Sequence, residues 1–311
     1  MKLKRTLCLL LALLMLLPLC ACGKGGERQS AEEKPSIVVT IYPVYDWLRE
    51  ILGELSDQAE LTLLLDGGAD MHSFQPTVAD IARIASCDLL IYVGGESDEW
   101  IDAVEAAEAG QRRVRLLELL DGRTLEEELR EGMRGEADGA IDEHVWLSLK
   151  NARLLCAKLV PWLRGLGLDG RYLDASAAAY GAKLETLDAA YQAAVDGAAR
   201  RTLLFADRFP FRYLVEDYGL DYYAAFAGCE AETEASFRTV AFLSEKLDEL
   251  ALPCCLVIES SDGKLARTVV ASSADPTRPI LTLHSLQGEP GGRGYLEIME
   301  DNLAVLKEAL N

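Results

Sequence analysis

The chain is short of positive charge: 31 lysines and arginines stand against 51 aspartates and glutamates, for a formal net charge of -20 at neutral pH. Phosphate backbones are gripped by basic faces, so a nucleic-acid partner is excluded. Histidine is scarcer still, with 3 residues in 311. There is no His-Glu-x-x-His, no Gly-x-Ser-x-Gly, no Walker loop and no Gly-x-Gly-x-x-Gly opening a helix. The common signatures of metalloproteases, serine hydrolases, nucleotide hydrolases and dinucleotide enzymes are therefore absent. Beyond Leu19 no apolar run reaches the roughly 20 residues that cross a bilayer. What is present is the balance of a globular chain, 50% hydrophobic and 26% charged, long enough for about two domains with a large core.

The N-terminus stands apart. Lys2, Lys4 and Arg5 precede an apolar run from Leu7 to Leu19, the charged start and short hydrophobic middle of a secretory signal. The run ends in Leu19-Cys20-Ala21-Cys22-Gly23, which resembles the lipobox of bacterial lipoproteins. That resemblance implies a signal peptide over residues 1–21, lipidation of Cys22 and attachment to the cell membrane. An ordinary signal peptide with incidental cysteines is the alternative. Residues 22–35 then form a polar tether too poor in apolar residues to fold. Removing the signal takes three positive charges with it and moves the net charge from -20 to -23. Of the remaining cysteines, Cys87, Cys156, Cys229, Cys254 and Cys255, an odd number cannot all pair, and no Cys-x-x-Cys spacing occurs. Cys87, Cys254 and Cys255 sit in apolar stretches, where cysteine behaves as a small hydrophobe. Most of the five read as core, with one disulfide left open.

From Ser36 onward, short β-rich runs alternate with amphipathic stretches: Ile37 to Tyr42, Leu61 to Leu65, Asp88 to Val93 and Val114 to Leu120 are separated by helical patterns. This predicts an α/β fold with a parallel sheet covered on both faces. The acidic stretch Asp121 to Asp142 has no apolar periodicity and is expected to be a mobile loop. A helix from about Ser148 is expected to bend or end near Pro161, whose ring removes a hydrogen bond. Leu173, Ala177, Tyr180, Leu184, Leu187, Tyr191 and Val195 recur every three or four residues, which predicts one long helix. The alternation then resumes to the C-terminus. Expected are two parallel-sheet α/β lobes, at residues 36–168 and 201–311, joined by a rigid helix within residues 169–200.

All three histidines fall where such a sheet opens its ligand crevice, past a strand or in a loop before a helix. His72 lies in Asp66-Gly-Gly-Ala-Asp-Met-His-Ser-Phe-Gln-Pro-Thr77, His144 in Asp142-Glu-His-Val-Trp-Leu147, and His284 ends Ile280-Leu-Thr-Leu-His. Imidazole is the commonest zinc-ligating side chain, and three with one carboxylate complete a tetrahedron. A surface or hydrogen-bonded core role is the bland alternative for any single one.

Val38-Val-Thr-Ile-Tyr-Pro-Val-Tyr-Asp46, the His72 loop with Ser73 and Pro76-Thr77, Asp142-Glu-His-Val-Trp-Leu-Ser-Leu-Lys-Asn151, the long helix and Tyr218-Gly-Leu220 together resemble the zinc- and manganese-binding proteins of bacterial ABC importers. The likeness is collinear over nearly all of residues 36–311. It implies a periplasmic-binding-protein-like fold, His72 and His144 as metal ligands, a rigid backbone helix and an ABC permease as partner.

The other two ligands depart from the pattern. Aligning on Phe211, Tyr213 and Tyr218 puts Arg208 where the family places a histidine or glutamate, and a guanidinium has no lone pair to give. Asp207 is the neighbouring replacement. His284 occupies the family's late aspartate position, and Glu259 is a further carboxylate candidate. The expected ligand set is therefore His72, His144, His284 and Asp207, with Glu259 as the alternative. Three nitrogens and one carboxylate favour zinc, with manganese or iron as alternatives. Capture and release of a divalent metal by a lipid-anchored, extracytoplasmic monomer, not catalysis, is the expected function. A metal-binding surface adhesin is the other class. In the acidic stretch, Glu126, Glu127, Glu128, Glu131, Glu136, Asp138, Asp142 and Glu143 read either as a weak cation collector or as a solvated loop.

Overall fold

The computed structural model describes residues 34–65, 71–104, 106, 110–134, 139–228, 235–288 and 291–311. The signal segment, Cys22, the tether up to residue 33 and Cys229 lie outside them.

Strands β1 (Ser36–Val39), β2 (Glu60–Leu63), β3 (Leu89–Tyr92) and β4 (Arg112–Arg115) form a parallel sheet in the order β2-β1-β3-β4. A second sheet repeats the same order with β5 (Thr202–Phe209), β6 (Asp221–Ala227), β7 (Cys255–Val257) and β8 (Ile280–Thr282), as β6-β5-β7-β8, again all parallel. β1 and β3 are buried almost throughout, Ile37, Val38, Val39, Leu89, Leu90 and Ile91 at no more than 1% exposure, because helices cover both faces of a parallel sheet. In each sheet the chain runs first to one side of its opening strand and then to the other. The crevice at such a reversal lies at the carboxyl ends of the strands.

The main helices are α1 (Tyr42–Leu52), α2 (Val78–Ser86), α3 (Leu149–Gly165), α4 (Gly170–Asp196), α5 (Arg212–Tyr218), α6 (Phe237–Glu249), α7 (Lys264–Ser272) and α8 (Tyr295–Ala309). Helix α4 is the long helix the periodicity predicts, and its buried residues are the same seven that recur in the sequence. Its 27 residues span about 40 Å at 1.5 Å per residue. The carboxylate of Asp169 caps it by accepting from the N–H groups of Arg171 and Tyr172. One end is pinned to the first lobe, where Ser176 Oγ donates to Glu50 O at 3.0 Å. The other end reaches the second lobe, where Tyr191 Oη donates to Met299 O at 2.6 Å and Tyr218 Oη to Asp188 at 2.8 Å. A helix tied to both lobes along its length restrains their relative motion.

Three local expectations are corrected. Helix α3 runs through Pro161 to Gly165. Pro161 and Ala157, whose carbonyl loses its donor, both lie on the exposed face, where water replaces the lost bond. The run at Val114 to Leu120 divides into β4 and a one-turn helix, Leu116–Leu119. The acidic stretch is not a loose loop over its described residues. Its Arg134 exchanges backbone hydrogen bonds with Ala225 and Ala227 on β6, Leu125 N–H donates to Tyr213 Oη, and Arg130 pairs with Asp221 while lying over the Tyr222 ring. Cys87, Cys156, Cys254 and Cys255 are all buried free thiols, so no disulfide forms among the described residues. Among the described residues no helix is long and apolar enough to cross a membrane.

Candidate metal site between the lobes

His72 sits on a short 3-10 turn, Met71–Ser73, beyond the carboxyl end of β2. The segment after it is locked by the reciprocal cap of α2, in which Thr77 Oγ1 accepts from Asp80 N–H and the Asp80 carboxylate accepts from Thr77 N–H at 2.9 Å. His144 precedes the 3-10 turn Val145–Leu147 and is fully buried. The two rings meet: Nε2 of His72 lies 3.1 Å from Nε2 of His144.

The outer nitrogens face partners. Asp142 Oδ1 takes both the backbone N–H of His144, at 2.8 Å, and its Nδ1, at 3.1 Å. A carboxylate only accepts, so Nδ1 carries the proton and Nε2 presents a lone pair. Burial alone lowers the His144 pKa, but the charge and hydrogen bond of Asp142, with Glu143 and Glu127 behind it, hold it above its ordinary value. His72 Nδ1 is 2.8 Å from Ser97 Oγ and 4.0 Å from Glu143 Oε2.

Among the described residues of the second lobe, Gln287 reaches this point, its side-chain Nε2 lying 3.1 Å from His144 Nε2. Leu286, buried and held at φ 57°, turns the chain between His284 and Gln287. A branched side chain in the left-handed region is strained, and such strain collects at functional sites. Trp146 anchors the same loop by donating Nε1–H to Ser285 O at 2.8 Å. Gly228, at the end of β6, passes so close that a Cβ there would lie 3.2 Å from His144 Cε1 and 2.8 Å from Phe209 O.

His284 and Glu259 come together with each other, not with the histidine pair. His284 Nδ1 lies 3.3 Å from Glu259 Oε1 and accepts from Leu286 N–H at 3.0 Å, while Glu259 also holds Ser285 through its N–H and hydroxyl. Burial lowers the His284 pKa against the opposing charge of Glu259. Asp207 is buried, accepts from Arg208 N–H at 2.8 Å and Ile258 N–H at 3.4 Å, and its carboxyl is raised by burial. No cluster of three or more histidine, cysteine, aspartate or glutamate side chains suited to a metal occurs among the described residues. Gln287 gave no sequence signal by type, since an amide is seldom a metal ligand. Its position three residues past His284, in a loop at the carboxyl end of the last strand, was the one available hint.

Asp98 lies beside Ser97 and accepts from Val93 and Gly94 N–H at 2.7 and 3.1 Å. Burial raises its carboxyl to about 6, opposed by those N–H groups and reinforced by Glu143. An acid raised above its unfolded value binds its proton more readily when folded, so its contribution is full below about pH 4 and is lost as pH rises through about 6. Asp98→Asn removes that titration. Its stability relative to the parent is expected to rise by about 2–3 kcal/mol between pH 4 and 7, measured by urea unfolding at each pH; a constant difference refutes the assignment.

Two parallel α/β lobes joined by a long helix, with two buried imidazole nitrogens converging where the lobes meet, define a two-lobed binding protein for a cation. The chain belongs to the family described as zinc-uptake complex component A, periplasmic, whose profile matches residues 37–309. That family comprises extracytoplasmic substrate-binding components of uptake systems, not enzymes. The chain is 27% identical to the high-affinity zinc uptake system protein ZnuA of Bacillus subtilis over 301 residues, 93% of each chain. It is 30% identical to the zinc-binding lipoprotein AdcA of Streptococcus pneumoniae over 96% of its own length, and spans 60% of that longer relative. The crystal structure of the metal-dependent lipoprotein YcdH of Bacillus subtilis superposes with a TM-score of 0.72 at 27% identity, covering 89% of this chain and 99% of that one.

Proposed function

We propose that the protein captures a zinc ion between its lobes and delivers it to the permease of an ABC importer, held at the membrane by a lipid on Cys22. The carrying observation is the 3.1 Å separation of the His72 and His144 Nε2 atoms. Two zinc–nitrogen bonds of about 2.0–2.1 Å at a tetrahedral angle place their nitrogens about 3.3 Å apart, so a zinc ion fits with a shift of a few tenths of an ångström. Zinc uptake and zinc binding in the named relatives support the choice of metal.

Gln287 supplies the contact from the second lobe. Without metal its amide donates to the lone pair of His144 Nε2; turned over, the same side chain offers its oxygen to the ion. Both histidines and the amide are neutral ligands, and Asp142 and Glu143 behind them carry the compensating charge. A tether of 14 residues, 22–35, gives the anchored protein reach to the permease. Zinc titration of protein lacking residues 1–22, against a chromophoric competitor, tests the ligand set. Gln287→Ala is expected to weaken zinc about tenfold, the lower end for losing one neutral contact, and His284→Ala to leave it within about twofold. The reverse order of effects refutes the role given to Gln287 and returns it to His284.

A further inference from the structure

We propose that Tyr213, acting through Asp142, is a positioning residue for His144, so that this ligand of the first lobe is aligned only while the second lobe is in place. The proposal rests on the reading of His144 as a ligand, but the contacts that carry it stand without a metal.

Tyr213 lies in α5 of the second lobe. Its phenol oxygen accepts from Leu125 N–H at 3.0 Å, and its O–H donates to the Asp142 carbonyl at 2.9 Å. Leu125 and Asp142 stand near the two ends of the acidic stretch and also meet each other, Asp142 N–H donating to Leu125 O at 2.8 Å. The two arms continue side by side, with Glu127 N–H donating to Ala140 O at 2.9 Å and Glu126 bridged to Ile141. One hydroxyl of the second lobe thus closes the neck of a loop that belongs to the first.

Asp142 is thereby held by both of its backbone polar groups, which fixes the point from which its carboxylate reaches His144. From there Oδ1 accepts from His144 N–H at 2.8 Å and faces Nδ1 at 3.1 Å. The line of contacts runs from the second lobe to the ring: phenol, main chain of Asp142, carboxylate, imidazole. Tyr213, Asp142 and His144 are exposed by only 3%, 1% and 0%. A buried group that loses its partner keeps its cost of desolvation, so these bonds hold together or the segment shifts. Moving the second lobe away takes the donor from the Asp142 carbonyl and loosens the carboxylate. The His144 ring then loses the support at its far nitrogen that orients a ligating histidine. Metal affinity is in this way conditional on the position of the other lobe, and by reciprocity bound metal strengthens the contact.

The test is zinc titration against a chromophoric competitor, with urea unfolding of the same samples, on Tyr213→Phe, Asp142→Ala and the two combined. Asp142→Ala keeps the carbonyl that Tyr213 bonds but removes the carboxylate that reaches His144. Tyr213→Phe is expected to weaken zinc about tenfold in the parent, but less than about twofold in the Asp142→Ala background, itself weakened about 10–100-fold. Its loss of stability, which comes from the Leu125 and Asp142 backbone groups, is expected in both backgrounds. Undiminished zinc affinity in Tyr213→Phe, or the same tenfold loss in both backgrounds, overturns the proposal. Should Tyr213→Phe refold poorly, amide hydrogen exchange on the unaltered protein takes its place. Zinc is expected to slow exchange of Leu125 N–H at least about tenfold more than that of Arg123, whose N–H donates to Leu120 O within the first lobe. Equal slowing overturns the coupling. Tight zinc retained by His144→Ala instead overturns the ligand reading. The Nδ1–H resonance of His144 in metal-free protein then still judges the link: it is expected to move upfield in Tyr213→Phe, and an unmoved resonance overturns the proposal.

Discussion

The double variant His72→Ala/His144→Ala is expected to lose stoichiometric zinc binding while keeping its fold. A four-ligand protein zinc site is worth about 10–16 kcal/mol at neutral pH, or about 3 kcal/mol per ligand. At 1.4 kcal/mol per tenfold, each histidine carries about two decades of affinity and the pair about four. Neither side chain is part of the apolar core; His144 is buried but bonded to Asp142 and Gln287, so truncation removes polar contacts and leaves a small polar space. Competition titration with circular dichroism on the same samples separates the two effects. Zinc held within tenfold of the parent by a folded double variant removes the site from between these residues.

Trp146→Ala is expected to have the largest effect on stability. The indole is fully buried in the first lobe and donates to Ser285 O of the second, while the backbone carbonyl of Trp146 accepts from Tyr295 Oη at 2.5 Å. Tyr295 continues the tie, standing edge-on to Trp47 at 5.3 Å and donating its N–H to Asp46 at 2.8 Å. Large-to-small replacement of a core aromatic costs about 3–5 kcal/mol through lost burial and the cavity left behind. Unfolding in urea measures it, and Trp146→Phe, which keeps much of the volume, is expected to cost about half as much. The indole also walls the site, with its ring 5.2 Å from that of His144, and anchors the loop that carries Gln287. Zinc affinity is therefore expected to fall together with stability in Trp146→Ala. A loss below about 1 kcal/mol contradicts the role of Trp146 as the interlobe tie.

The α/β class and the two-lobed plan were readable because they are written in short windows: alternation of strands and amphipathic helices, and the seven-residue apolar stripe of α4. Those signals depend on spacing within a few turns of chain, which the neighbouring residues carry themselves. The pattern failed where the burial of a face decided the outcome. Pro161 is tolerated because it falls on the solvent side of α3, and the described part of the acidic stretch is held because Arg130 and Arg134 find partners on β6, some 90 residues away. Neither fact has a local signature.

The site divides in the same way. Residue type put forward all three histidines alike, and the resemblance of their flanking motifs to the metal-binding family singled out His72 and His144. The second lobe's contribution could not be ranked by type, for there a histidine and two carboxylates outscore an amide. The left-handed turn at Leu286 sends Gln287 toward His144 and leaves His284 to Glu259, a choice made across 143 residues of sequence. Composition and periodicity were enough for the α/β class and the long helix, and the motifs around His72 and His144 were enough for the family. Which groups face one another across the lobes was decided by packing alone, because a contact between distant segments is a property of their mutual geometry and not of either segment's residues.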